Sequence, residues 1–160
     1  MHAIFAYGSN MHLADLARWL EDCGLAHVAP QEATPAVLAD HALDWHYHSV
    51  SRDGGAANVV PRDGAELRGV VLHGCATLLE AIDTKEGHPV RYSRGDAPVA
   101  AACLRSGDRL DAWLYRVTPA YTTAAPEAPR AAYLELMVEA ARQHELGADW
   151  IAHLASTPTR

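Results

Sequence analysis

Two short stretches carry side chains suited to holding an anion and moving a proton. Tyr7-Gly8-Ser9-Asn10 follows the apolar run Ala3-Ile4-Phe5-Ala6 and precedes a helical pattern. A strand that ends on a flexible glycine and two small polar residues leaves backbone N–H groups without partners at the positive end of a helix dipole. That is a seat for a carboxylate or a developing oxyanion. The same four residues also fit a plain tight turn, with Gly8 at positive φ and Asn10 as the helix cap. The second stretch is "LLEAIDTKEGHPVRYSR", residues 78–94. Glu86 stands in the last turn of a helix, where a carboxylate faces the negative dipole end at a cost of roughly 0.3–1 kcal/mol. Asp83 adds like charge, and Lys85 offsets part of it. An acid in that position suits a group that takes and returns a proton, although a solvated surface glutamate would look the same.

The elements that must position these residues follow from periodicity and turn signals. Residues 3–7 read as a strand, and Asn10 caps a helix over about 11–23 with the stripe Leu13, Leu16, Ala17 and Leu20, stopped by Gly24. Strands are expected around 36–48, 56–60 and 67–73, separated by Asp53-Gly54-Gly55 and Asp63-Gly64. Thr77 and Glu80 form a capping box for a short helix through Lys85, closed by Gly87. Two strands fit 91–104 and 109–117, joined by Ser106-Gly107-Asp108. Pro126 and Pro129 lead into the longest helix, about 130–146, and a short helix fits 148–155. One strand and helix, then a run of strands, then helices indicate an α+β fold with a curled, mixed sheet. The 160 residues suit one domain spanning 1–160.

Composition removes several classes of function. Hydrophobic residues make up 49% and charged residues 21%, the profile of a soluble globular protein. The net charge is −7 and no Lys/Arg run is present, so a nucleic-acid partner is not expected. No apolar run approaches the roughly 20 residues that cross a bilayer, and "MHAIFAYGSNM" lacks the features of a signal peptide. Cys23, Cys75 and Cys103 are widely spaced and read as reduced, mostly buried thiols of a cytoplasmic protein. In "HALDWHYH", His46 and His48 share a strand face as a metal pair would, but nothing with ligand spacing completes the set, and solvated histidines are the expected reading. Asp53-Gly54-Gly55 lacks the context of a phosphate loop. Ser9 lacks the elbow motif of a hydrolase nucleophile.

The order of motifs carries a resemblance. "FAYGSNM", then "GAANVVPRDGAELRGVVLH", then "LEAIDTKEGHPVRYSR" resemble the γ-glutamylcyclotransferase family with its AIG2-like relatives. "APEAPRAAYLELMVEAARQHELGADWIAHL" is similar to that family's carboxy-terminal helical region. Asn10-Met11 resembles the general branch rather than the glutathione-specific one. The resemblance implies a small mixed β-barrel flanked by helices, no metal or other cofactor, a small-molecule γ-glutamyl substrate, and a monomer or homodimer. It further implies that Tyr7, Gly8, Ser9 and Asn10 hold the γ-glutamyl group. Glu86 then matches the acid/base glutamate, and Tyr92 and Tyr133 match two tyrosines of the pocket. Arg130 and Trp150 depart from the family pattern, and the leaving-group end is where they are expected.

The implied chemistry needs few parts. The α-amine of a γ-glutamyl amide closes on its own γ-carbonyl to give 5-oxoproline, Glu86 passing a proton from the attacking amine to the departing one. The loop N–H groups would hold either the substrate carboxylate or the oxyanion. The other reading is a catalytically silent module that binds γ-glutamyl-type ligands or a partner on the same fold. Retention of Glu86 favours the enzyme.

Overall fold

A computed structural model describes all of residues 1–160. The chain runs β1 (His2–Ala6), α1 (Leu13–Asp22), β2 (Glu32–Asp44), β3 (His48–Ser49), β4 (Gly54–Gly55), β5 (Asn58–Gly74) and α2 (Ala76–Glu86). It continues through β6 (Tyr92–Ser93), β7 (Val99–Cys103), β8 (Arg109–Ala112), β9 (Arg116–Val117), α3 (Ala131–Gln143) and α4 (Ala148–Ala155). The main sheet has the order β1-β5-β2-β7-β8 with every ladder antiparallel. The α+β class stands, but the sheet does not close into the expected barrel. Only the Phe5 N–H to Trp113 C=O bond (2.9 Å) and the Trp113 N–H to Ala3 C=O bond (2.8 Å) tie the β1 edge to the residue after β8. That bridge is the sheet's parallel element.

Asp63-Gly64 does not separate two strands. β5 runs through it, and residues 62–65 bulge opposite Asp40, the register passing from Ala39–Glu66 to His41–Pro61. Asp40 adopts φ 57°, and its Oδ1 accepts the Gly64 N–H at 2.8 Å. Turn chemistry inside a long ladder thus makes a bulge rather than a chain reversal.

The helix caps also differ from expectation. The chain first makes a 3₁₀ turn over Ser9–Met11, and α1 starts at Leu13 with His12 as its cap, His12 Nδ1 accepting the Asp15 N–H at 3.1 Å. Asn10 is therefore released from capping. Cys75 precedes α2, and Thr77 already lies in the first turn, so the expected capping box does not form. Gly87 closes α2 in the left-handed region, at φ 70°. All three cysteines are free, and Cys23 and Cys75 are exposed at helix ends rather than buried.

A continuous core of 37 buried side chains joins the sheet to the helices, with Phe5, Leu72, Ile82, Leu114 and Met137 among its members. The end of β1, the end of α2 and the start of α3 converge at one margin of this core. No helix is long and apolar enough to cross a membrane.

Candidate active site

The loop after β1 is held open by its surroundings. Tyr7 is buried and its hydroxyl donates to the Tyr115 carbonyl at 2.6 Å. Gly8 adopts φ −109°, so positive φ is not what glycine supplies there. It supplies room: a Cβ would stand 3.1 Å from the Tyr133 hydroxyl and 3.3 Å from the Ala57 Cβ. The N–H groups of Gly8, Ser9 and Asn10 donate to no backbone carbonyl. They belong to the loop and its 3₁₀ turn, not to the first turn of α1. Asn10 Nδ2 donates to Glu86 Oε1 at 2.8 Å, which leaves the buried Asn10 Oδ1 without a partner.

The end of α2 is better compensated than its sequence suggests. Asp83 accepts from Arg94 Nε at 2.8 Å, from Arg94 Nη2 at 3.2 Å and from the Tyr115 hydroxyl at 2.5 Å. Burial pushes the Asp83 carboxyl up, but the bonds from Arg94 and Tyr115 outweigh it and hold the group below its usual range. Arg91 donates to the Lys85 carbonyl at 3.1 Å, placing a cation at the negative dipole end. Gly87 makes this possible, since any Cβ there would strike the Arg91 guanidinium. Two arginines downstream of the helix thus offset the charge that Asp83 and Glu86 bring to its last turn.

Tyrosines from separate parts of the chain wall the cleft. Tyr92 donates to the Ala57 carbonyl at 2.8 Å, while the Ala57 N–H donates to the Tyr133 hydroxyl at 3.1 Å. Both polar groups of one buried peptide position are used in this way. Burial raises the Tyr7 and Tyr92 phenols well above their usual value. Burial also pushes Tyr133 up to about 12, against the lowering effect of its Ala57 bond. All three therefore keep their protons at neutral pH. The hydroxyl protons of Tyr7, Tyr92 and Tyr115 are already donated. The Tyr133 proton has no acceptor and remains free to donate into the cleft.

The structure brings all seven expected residues, Tyr7, Gly8, Ser9, Asn10, Glu86, Tyr92 and Tyr133, to one cleft of about 50 Å³. Ser9, Glu86, Tyr92 and Tyr133 also line an outer compartment of about 70 Å³. Sequence reasoning missed Tyr115 and Ala57 in the inner wall. Ala57 lies in the "GAANVV" segment, but nothing local marks its peptide as the anchor of two phenols. Arg130 and Trp150 line neither compartment. Arg130 is engaged with the carboxylate and the carbonyl of Asp53. Trp150 is buried beside Ala42 and Leu43. His46 and His48 face Asp44 (2.8 Å) and Glu127 (3.4 Å), and no three potential ligands gather as a metal site.

Comparison with known proteins decides the family. The profile described as gamma-glutamyl cyclotransferase, AIG2-like, matches residues 4–135. The chain belongs to that family. Among solved structures it is similar to a gamma-glutamyl cyclotransferase, with 22% identity and a TM-score of 0.79 over 99% of this chain and 89% of the other. An uncharacterised protein from Homo sapiens gives 23% identity and a TM-score of 0.79, with the same coverage. YkqA from Bacillus subtilis gives 22% and 0.77 over 99% of this chain and 56% of that one. At such identities these likenesses show the cyclotransferase fold. No curated protein matches the chain.

Proposed function

We propose that this member of the cyclotransferase family releases 5-oxoproline from a γ-glutamyl amide. The observation that carries the reading is the Asn10–Glu86 bond, which leaves Asn10 Oδ1 buried and unpaired beside a carboxylate. A substrate α-ammonium has three N–H donors. It satisfies Asn10 Oδ1 and reaches the Glu86 oxygen that Asn10 does not occupy. The substrate α-carboxylate takes N–H groups of the Gly8–Asn10 loop, none of which donates to a backbone carbonyl. Its γ-carbonyl then lies where Ser9, Glu86, Tyr92 and Tyr133 line both compartments.

The steps follow from this placement. Glu86 takes a proton from the ammonium, and the freed amine attacks the γ-carbonyl carbon. The electron pair moves to the carbonyl oxygen, where the unshared Tyr133 O–H stabilises it. The bond to the leaving nitrogen breaks as Glu86 returns that proton to it, and Glu86 then carries the second proton of the attacking nitrogen the same way, so that the lactam keeps one N–H and the amine departs as an ammonium. One molecule becomes two without consuming water. Ser9 does not act as a nucleophile, because the substrate supplies its own. Holding the amine against the carbonyl supplies a share of the roughly 7–11 kcal/mol that orientation offers in such reactions.

The test is incubation of the purified protein with γ-glutamyl-alanine, with products read by mass spectrometry. Equimolar 5-oxoproline and alanine are expected. Free glutamate would mean hydrolysis, and unchanged substrate across several γ-glutamyl amides would leave only a binding role.

A further inference from the structure

Behind the inner cleft lies a guanidinium that the fold leaves short of an anion. Ala57 and Tyr115 face the cleft, and their chain neighbours Asn58 and Arg116 face the reverse side of the same wall, as alternation along extended chain requires. A groove of about 680 Å³ runs there between the end of β2, the start of β5 and β9. Arg116 is half-buried and forms no ion pair. Its Nε is enclosed without a partner, and Nη2 meets His41 Nε2 at 3.2 Å. His41 Nδ1 faces the Ala39 carbonyl at 2.8 Å, and a carbonyl only accepts. The imidazole therefore donates from Nδ1, and the Nε2 of a neutral ring accepts from Arg116. A neutral acceptor leaves the charge uncompensated, whereas charges removed from water are normally paired. Asp44 lines the same groove but is engaged elsewhere. It accepts from His46 Nδ1 at 2.8 Å, from the His46 N–H at 3.1 Å and from Asn58 Nδ2 at 3.4 Å. Burial raises the Tyr7 phenol on the cleft side of the wall, and the charge of Arg116 partly opposes that rise.

We infer that this groove is a second binding site, for a small organic monocarboxylate whose anion meets the Arg116 guanidinium and whose apolar body lies against Val60, Pro61, Val117 and Pro119. Nη1 of Arg116 makes no bond within the protein, and Nη2 keeps a second N–H beside the one given to His41. The two nitrogens form the fork that takes a carboxylate through both oxygens. Asp44 on the same wall repels further negative charge, which favours a monocarboxylate over a dicarboxylate or a phosphate. The valines and prolines offer apolar burial that an inorganic anion has no means to use. No residue of this groove lines either compartment of the cleft, so the site is separate from the one proposed for the γ-glutamyl substrate. It is nonetheless tied to the cleft wall. Asn58 Oδ1 accepts the Val117 N–H at 2.9 Å, and Val117 pairs with Tyr92, whose hydroxyl rests on the Ala57 carbonyl. An anion on Arg116 thus sits on the strand that backs one of the cleft tyrosines.

The experiment titrates the wild-type protein with isovalerate and, in parallel, with isoamyl alcohol, isoamylamine and inorganic phosphate. Affinity and the NMR resonance of the Arg116 Nε–H group are followed together. Isovalerate should move that resonance and bind at least about ten-fold tighter than the alcohol, the scale of one charge-assisted hydrogen bond. The amine and phosphate should both bind more weakly than isovalerate, and added salt should weaken isovalerate itself. Arg116→Gln, checked by a thermal melt, should abolish the preference for acid over alcohol. Arg116→Lys should keep part of it, since a point charge replaces the fork. Lys85→Gln, which alters the outer compartment of the cleft, should keep all of it. Equal affinity for acid and alcohol, an unmoved Arg116 resonance, or a preference that survives Arg116→Gln overturns the inference. So does phosphate binding more tightly than isovalerate, because the apolar wall would then play no part. Should Arg116→Gln fail to fold, the wild-type series with the Arg116 resonance assigned through bonds still decides. Binding is read without turnover, so the result is independent of whether the protein forms 5-oxoproline.

Discussion

The inner and outer compartments share Glu86 but are built from different materials. The inner one is walled by Tyr7, Tyr92, Tyr115 and Tyr133, each hydroxyl tied to a backbone group or to Asp83. These phenols come from the β1 loop, β6, the segment before β9 and α3. Their positions are fixed wherever the core is packed. The outer compartment adds serines and long cationic side chains to the shared tyrosines; Arg52 is tied to Asp15 and Arg91 to the Lys85 carbonyl, while Lys85 has no ion pair. On the proposed reaction, the aromatic cage suits the constant part of the substrate, the γ-glutamyl group, and the polar, cationic rim suits the part that varies. Chemistry and substrate choice should then be separable by mutation.

The largest effect is expected at the junction. Glu86→Gln retains an acceptor for Asn10 Nδ2 but cannot take a proton from the α-ammonium. Acid/base catalysis is commonly worth about 10²–10⁴-fold, and kcat should fall by that much with every leaving group. Stability should hold or rise slightly, since a negative charge leaves a helix C-terminus. Release of 5-oxoproline and a thermal melt of the same sample check both. Turnover within a few-fold of wild type would remove Glu86 from the mechanism.

Tyr133→Phe tests the inner wall. It removes the acceptor of the buried Ala57 N–H, an unmet donor that costs about 1–3 kcal/mol. The melting temperature should fall by several degrees. The same change removes the free phenolic donor from the cleft. Expected kcat/KM therefore drops by one common factor for γ-glutamyl-alanine and γ-glutamyl-ethylamide. A change in their ratio would mean that the two compartments are not independent, and chemistry would no longer be separable from substrate choice.

Much of this site was legible in the sequence because its signals are local or come as family motifs. The loop from Tyr7 to Asn10, the Gly87 stop and the face of α3 bearing Tyr133 and Met137 are set within a few residues of each other. What was not legible depended on distant segments. Asn10 looked like a cap because the 3₁₀ turn that displaces it is visible only in three dimensions, and its bond to Glu86 spans 76 positions. The helix end looked uncompensated because Arg91 and Arg94 return to it from beyond Gly87. Asp63-Gly64 looked like a strand break because the pairing of β5 with Asp40 is a tertiary fact. Arg130 looked like a specificity residue only while Asp53, its partner from a different loop, was out of view.

The smallest effect is expected behind the cleft, at Asp83. This carboxylate anchors the last turn of α2 to Arg94 and Tyr115, and it stands three residues before Glu86. Its side chain and that of Arg94 are each about one-fifth exposed, so solvent screens the pair only in part. Asp83→Asn keeps an acceptor for the Tyr115 hydroxyl but ends the ion pair, for a loss of about 0.5–2 kcal/mol near neutral pH. The pH dependence has a definite sign. The folded-state pKa lies below the ordinary 3.8. The contribution is therefore complete above that value and is lost as pH falls through the lower, folded one. Denaturant melts of wild type and Asp83→Asn should differ by a constant amount between about pH 5 and 8 and begin to converge below about pH 4. In activity the variant should lower kcat several-fold with little change in KM, because Glu86 is loosened while the loop that holds the substrate is untouched. A stability gap that persists unchanged into strong acid would mean that Asp83 acts through packing rather than charge. A loss as deep as that of Glu86→Gln would mean that it takes part in the proton transfer itself.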